Sequence, residues 1–344
     1  MSLRNIASEG SIWFFAFGYF ACYAPYTALT KSLSKGLYPG LDAPIEGVSL
    51  LPVATAASLV VMIVFLSAVG WWKYATQKQV GGFSLPVPTL WTALSGACTA
   101  VILTTTTLAY TFDGVSILFV MLLMRGGVLV IAPIVDALTG RTSRWFSWVG
   151  LGLAFAALLV AFAEEGGYAI TFACGLDITL YLLAYLVRLR FMSKLAKSDD
   201  PDVTRRYFVE EQLVSVPLTV LLLVIGGLIG QGEFLGQVRA GFTTHLSSGV
   251  VLATIGIGVL SQGTGIFGTL IYLDKRENTF SVPVNRCSSI LAGVVASFGL
   301  WALLDTDLPS AYQLGGAGLV VSAILVLALG PRFVKPALDD QSPT

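Results

Sequence analysis

Residues 115–133 read VSILFVMLLMRGGVLVIAP, and residues 280–301 read FSVPVNRCSSILAGVVASFGLW. Each is an apolar run of the length that crosses a bilayer, about 20 residues. Each carries one arginine inside it, Arg125 in the first and Arg286 in the second. A charge near the middle of a membrane helix costs roughly 2.5–3.5 kcal/mol on insertion scales, so it is rare and usually tied to function. Two of them at matching places set the reading of the whole chain.

The rest of the composition agrees. The chain has 344 residues, 55% hydrophobic and 12% charged, against about 25% charged in soluble domains. Its mean hydropathy is +0.80. These values describe an integral membrane protein with no large soluble domain. The formal net charge is zero, so no nucleic-acid partner is expected. Cys22, Cys98, Cys174 and Cys287 lie in apolar segments at spacings that match no zinc or redox motif, and His245 stands alone. No GxxxxGK[ST] run is present. No cofactor or metal is therefore expected. The first apolar stretch, from Ser11, is followed by many others and reads as a first span rather than a cleaved signal.

Ten spans can be placed, at 11–33, 48–72, 89–112, 115–136, 145–163, 169–189, 207–230, 248–272, 279–302 and 311–330. The expected fold is an all-α membrane protein of ten transmembrane helices. Short links such as Asp113-Gly114 and 164–167 make their flanking helices antiparallel neighbours. With the N-terminus inside, 15 of the 20 basic residues fall on the cytoplasmic side and 3 on the other, the remainder being Arg125 and Arg286. That bias obeys the positive-inside rule and puts both termini in the cytoplasm. The localisation expected is a multi-pass protein of the cell (inner or plasma) membrane.

The two halves resemble each other in order. Gly18 lies 13 residues before Lys31, and Gly175 lies 13 before Arg188. Thr107-Leu108-Ala109-Tyr110 precedes Arg125 by 15 residues; Thr269-Leu270-Ile271-Tyr272 precedes Arg286 by 14. Gly150-Leu151-Gly152-Leu153 matches Gly316-Ala317-Gly318-Leu319, and the offset drifts only from 157 to 166. Five helices per half is an odd number, so the second half enters the membrane from the opposite side. The expected organisation is a five-plus-five inverted-topology repeat: 11–163, then 169–330, then a cytoplasmic tail at 331–344. Such repeats build secondary transporters whose substrate site lies near the midplane.

Ten helices in this arrangement, with short loops and termini inside, resemble the drug/metabolite transporter superfamily over about residues 11–330. The stretch Leu138-Thr139-Gly140-Arg141 resembles the Gly-Glu-Arg turn of its EamA-like members, without the glutamate. The resemblance implies a ten-helix carrier. Nucleotide-sugar transporters of that superfamily place a basic residue in the fourth and ninth helices against substrate phosphate. Arg125 and Arg286 match those positions, which implies a charge role and leaves sugar and base open.

Polar stripes accompany the arginines. The first span carries Tyr19, Tyr23, Tyr26 and Thr30, and the sixth carries Asp177, Tyr181, Tyr185 and Arg188, all at spacings of 3 or 4 that share one helical face. Gln262 and Asn285 are amides that either line a site or cross-link helices, and Tyr110 closes the third span. Thr104 to Thr107 have back-bonding to their own helix as the ordinary reading. Pro25, Pro133, Pro217 and Pro283 bend spans or bare carbonyls. Glycine pairs at 150/152 and 316/318 suit internal packing or a homodimer.

Three readings compete for Arg125 and Arg286: they bind an anionic substrate, pair structurally with Asp177 or helix ends, or hold a gate. Asp177 is the one clear acid deep in the membrane, since Asp136, Glu210 and Glu211 are expected near helix ends and in reach of water. One positive charge is then left over for a substrate anion. The candidate substrate-binding residues are Arg125, Arg286, Asp177, Tyr181, Tyr185, Tyr23, Tyr26, Asn285, Gln262 and Tyr110. The leading function is secondary active transport, by alternating access or exchange, of a small organic anion, with Asp177 as candidate proton-coupling group. The alternative is efflux of a cationic or neutral metabolite or drug, with Asp177 and the tyrosines binding the cation. A membrane-embedded enzyme is the remote reading, because clustered His and Asp are absent and no catalytic residue stands out.

Overall fold

The computed structural model describes residues 11–41, 43–80, 82–108, 117–164, 171–247, 249–304, 306 and 308–333. Eleven α-helices run through them in chain order: α1 (Ser11–Ser34), α2 (Gly47–Ala68), α3 (Leu90–Leu108), α4 (Ile117–Leu138), α5 (Trp145–Glu164), α6 (Phe172–Leu195), α7 (Pro201–Ile229), α8 (Gly232–Phe242), α9 (Val251–Tyr272), α10 (Asn278–Leu304) and α11 (Ala311–Leu329). Among the described residues nine are long and apolar enough to cross a membrane, so the chain is a multi-pass helical membrane protein. Helices suit that setting because each satisfies its own backbone polar groups. The third expected span is present as α3, whose described apolar stretch, Leu90–Thr106, is shorter. Tyr110 and the Asp113-Gly114 link lie outside the described residues.

The helices pack in a crossed pattern. α1 lies against α9 and α10; α6 lies against α3 and α4; α2 meets α9, and α7 meets α3. Helices α4 and α10 touch, and α5 pairs with α11. Glycine permits two of these approaches. A β-carbon at Gly96 would stand 2.8 Å from the Glu211 carbonyl oxygen and 2.7 Å from the Val214 side chain, so α3 and α7 meet backbone to backbone. Gly258 on α9 meets the carbonyl of Ala54 and the side chain of Ala57 on α2 in the same way. In the α5–α11 contact Gly150 faces Leu327 and Gly316 faces the Ala157 carbonyl, which is internal packing, whereas Gly152 and Gly318 have open space beside them.

Three features depart from the expected segments. α7 starts at Pro201, two turns before the expected 207, with Asp200 as its N-cap accepting from Asp202 N at 2.9 Å. Its first turns are charged, which apolar periodicity does not count. Between α2 and α3 a hairpin forms, β1 (Thr76–Val80) with β2 (Phe83–Val87), antiparallel in the register Val80↔Phe83. The Gly81-Gly82 link between two five-residue runs is a two-residue hairpin signal. The amphipathic α8 lies after α7, where Gly230 at φ 55° ends the longer helix. Arg239 of α8 donates to the carbonyls of Gly227, Leu228 and Ile229 at 2.7–3.1 Å, capping the C-terminus of α7.

Candidate functional site

The arginines of α4 and α10 meet between α1, α6 and α9. Arg125 Nη2 donates to the Tyr23 hydroxyl at 2.9 Å. The Arg286 guanidinium lies over the Tyr185 ring at 5.2 Å. The two guanidiniums are close enough to repel each other, and Tyr19 and Tyr181 lie within electrostatic range of both. The helical stripes expected from spacing are what bring the rings together. Tyr19 and Tyr23 stack at 5.4 Å and 10°, and Tyr26 follows at 5.7 Å. On α6, Tyr181 and Tyr185 pack at 4.9 Å, and Tyr185 meets Tyr272 of α9 edge-on at 6.4 Å. Tyr272 in turn donates to Asn285 Oδ1 at 2.8 Å. Tyr19, Tyr181, Tyr185, Tyr272, Asn285 and Arg286 are buried, while Arg125, Tyr23 and Tyr26 are partly accessible. The site is an aromatic cage around two cations.

Hydrogen bonding separates the cage from its surroundings. Arg286 Nε and Nη2 are buried and have no partner, and neither carboxylate oxygen of Asp177 has one. Asp177 thus does not neutralise either arginine. It sits one and two turns from Tyr181 and Tyr185 on the same face of α6, 4% exposed.

The nearby ionic groups are all occupied. Asp136, Glu210 and Glu211, expected to reach water, are instead 1%, 0% and 0% exposed. The reason is that each has a full set of donors from a neighbouring helix or hairpin. Glu211 takes Arg188 Nε at 2.7 Å, with Ser95 and Thr99 hydroxyls at 3.1 and 2.9 Å. Arg188 also reaches Thr269 at 3.1 Å, so the last residue of the α6 stripe is held by protein and not left for a ligand. Glu210 receives Thr76 N at 2.9 Å and Thr89 N at 3.1 Å, fastening the hairpin and the start of α3. Asp136 receives the amides of Asn278 and Thr279 at 2.8 and 2.7 Å and the Thr279 hydroxyl at 2.6 Å, capping α10 from α4. Such caps satisfy first-turn N–H groups that have no intrahelical partner.

Around that cap the basic-side loops interlock. Arg141 donates to the carbonyls of Lys275, Ser193 and Lys197 at 2.9–3.1 Å, and Lys197 to the carbonyl of Arg276 at 2.7 Å. Asp136 lies 11 residues past Arg125 and Asn278 lies 8 before Arg286, so the bridge stands about 12–16 Å along the helices from the cage. These bonds join the ends of α4, α6 and α10 on that face. A cavity of about 610 Å³ does open there, lined by Trp13, Phe267, Arg205, Arg332 and neighbouring residues, but neither arginine of the cage reaches it. Its aromatic walls and basic rim are those of a membrane–water interface.

The other sequence candidates divide. Gln262 Nε2 donates to Gln212 Oε1 at 3.2 Å, linking α9 to α7 apart from the cage. Thr104, Thr105 and Thr106 bond carbonyls of their own helix at 2.7–2.8 Å. Tyr110 lies outside the described residues. Sequence reasoning missed Tyr272 as a cage residue, although the match of Thr269-Leu270-Ile271-Tyr272 to Thr107-Leu108-Ala109-Tyr110 in the sequence was a usable signal. It also missed Glu211 as a partner for Arg188; an acid inside a 29-residue helix was the clue there.

No family model matches the chain, and no curated protein does. Solved structures do match. One protein crystal structure aligns with 96% of this chain and 100% of its own at 15% identity, with a TM-score of 0.56. At that identity the likeness concerns the fold alone: a fold of this kind recurs over nearly the full length of both chains.

Proposed function

We propose that the chain is a secondary active transporter that moves a small organic anion by alternating access, with Arg125 and Arg286 as the anion seat. The observation that carries the reading is the pair of unpartnered guanidinium nitrogens on Arg286. A buried guanidinium without an acid costs several kcal/mol. Fork geometry suits it to carboxylate or phosphate, and Arg125 adds a second charge. The rival reading, efflux of a cationic or neutral compound, requires the arginines to be held by structural acids, and the nearby acids are occupied elsewhere or unpaired.

The five-plus-five inverted repeat supports the transporter reading. Contacts exchange between the proposed halves: α1 with α9 and α10 is matched by α6 with α3 and α4, and α2 with α9 by α7 with α3. The correspondence reaches single residues. Gly96 against Glu211 and Val214 is matched by Gly258 against Ala54 and Ala57, positions related by offsets within the same 157–166 range. Under this reading α3 is the third of ten spans, the basic face with both termini is cytoplasmic, and the drug/metabolite transporter superfamily is the family proposed. The Asp136 bridge then closes the cytoplasmic side, which leaves the cage to open toward the other.

Reconstitution tests the proposal. Arg125→Gln and Arg286→Gln are expected to lower anion uptake into proteoliposomes by at least about a hundredfold, in line with loss of charged pairing in a desolvated site. The purified variants are expected to keep their thermal stability. Undiminished uptake by both would remove the anion seat.

A further inference from the structure

We infer that the substrate is dipolar, its anionic group on Arg125 and Arg286 and a cationic group on Asp177, with the tyrosine rings lining the span between them. The inference rests on the anion seat proposed above and adds the other end of the molecule. Among the described residues, Asp177 and Arg286 are the charged side chains with buried atoms that meet no hydrogen-bond partner. They have opposite signs, yet no ion pair joins them. Among the described residues the other buried carboxylates, at Asp136, Glu210, Glu211 and Glu277, are filled by protein donors. Two complementary vacancies in one molecule match a ligand with two complementary charges.

The spacing is set by α6. Arg286 stands over Tyr185, and Asp177 lies four residues from Tyr181 and eight from Tyr185 on the same stripe. At 1.5 Å per residue, the eight residues from Asp177 to Tyr185 put the charges about 12 Å apart along the helix. That excludes an α-amino acid as the best fit, because its charges sit on adjacent carbons. It suits a chain or flat body with the anion at one end and an ammonium or guanidinium at the other. The Tyr181 and Tyr185 faces lie along the path and attract both a cation and an apolar middle.

The test uses the purified full chain in detergent and in proteoliposomes, with three probes: straight-chain alkanoates, ω-amino alkanoates with four to eight methylenes, and α-amino acids of like size. The wild type is expected to bind and take up the ω-amino series at concentrations about tenfold or more below the matching alkanoates, the size of one added charged contact. Asp177→Asn and Asp177→Ser are expected to erase that preference, bringing the ω-amino series to the level of the matching alkanoates. Arg286→Gln is expected to lose both series. Equal affinity for the two series in the wild type overturns the inference, as does a preference that survives both Asp177 variants. If Asp177→Asn alters only the pH dependence of alkanoate uptake, Asp177 carries a proton and the dipolar substrate is overturned, while the anion seat stands. If Arg125→Gln and Arg286→Gln change nothing, the anion seat itself fails and the inference falls with it.

Discussion

Two regions of the molecule hold buried charge in opposite ways. At the basic face and on the flank of the cage, Asp136, Glu210, Glu211 and Arg188 are fully partnered, mostly by groups from other helices. In the cage Arg286, and along α6 from it Asp177, are buried with atoms that have no hydrogen-bond partner. The first arrangement joins α4 to α10, α7 to α3 and α6 to α7, and it stabilises the assembly. The second costs stability, and under the proposed reading a ligand completes it. Among the described residues, the deep charged groups divide by whether they find hydrogen-bond partners.

Variants on the two sides of that divide should behave differently. The largest effect on stability is expected at the Arg188–Glu211 pair. Glu211→Gln leaves a buried guanidinium without its acid, at a cost of about 3–5 kcal/mol, read as a sharp fall in apparent Tm and in yield. Arg286→Gln, on the other side, removes an unpaired charge and should leave Tm level or raise it while uptake is lost. Equal falls in Tm for the two would break the contrast. Next is Asp136→Asn, which trades a charged acceptor of five hydrogen bonds for an amide and should cost about 1.5–3 kcal/mol. If that bridge closes the basic face, as the proposed transport reading has it, accessibility of cysteines placed in the cage should rise from that side. A smaller loss, about 1 kcal/mol, is expected for Tyr272→Phe, which deletes one donor to Asn285.

The last effect is read against pH. Lys197, in the link between α6 and α7, is buried and bonds the Arg276 carbonyl and Ser281 Oγ at 2.7 and 3.1 Å. Burial pushes its pKa down to about 7, partly opposed by Asp136 and Asp274. Between that value and the ordinary lysine value the unfolded chain holds the extra proton. Stability should therefore rise as pH climbs from about 7 toward 10.5, by up to about 1 kcal/mol per pH unit. Lys197→Met should flatten that slope in a Tm-versus-pH series; an unchanged slope would show that the lysine sits charged in the bridge and sharpen the scaffold side of the comparison.

Much of this was readable in the residues because a membrane simplifies the pattern. Apolar runs of bilayer length located the helices, and spacings of 3 and 4 located the tyrosine stripes of α1 and α6. The hairpin and α8 were passed over because both lie in links that a search for apolar runs leaves blank, although Gly81-Gly82 and the amphipathic run after Gly232 carried signals. The occupation of Arg188 was not readable. Its position on the α6 stripe was the same as that of the tyrosines, and only the placement of Glu211 on α7 separated them.

By itself, then, the sequence determined a many-helix membrane protein, the two arginines as its costly residues, and the faces on which its polar side chains lie. These follow from hydropathy and helical periodicity, which act along the chain. Which charges find partners was decided by the tertiary structure alone. A carboxylate at Asp136 or Glu211 and one at Asp177 look alike in sequence, and they differ only in whether another helix brings donors within about 3 Å. That difference depends on how helices cross, and no local pattern encodes it.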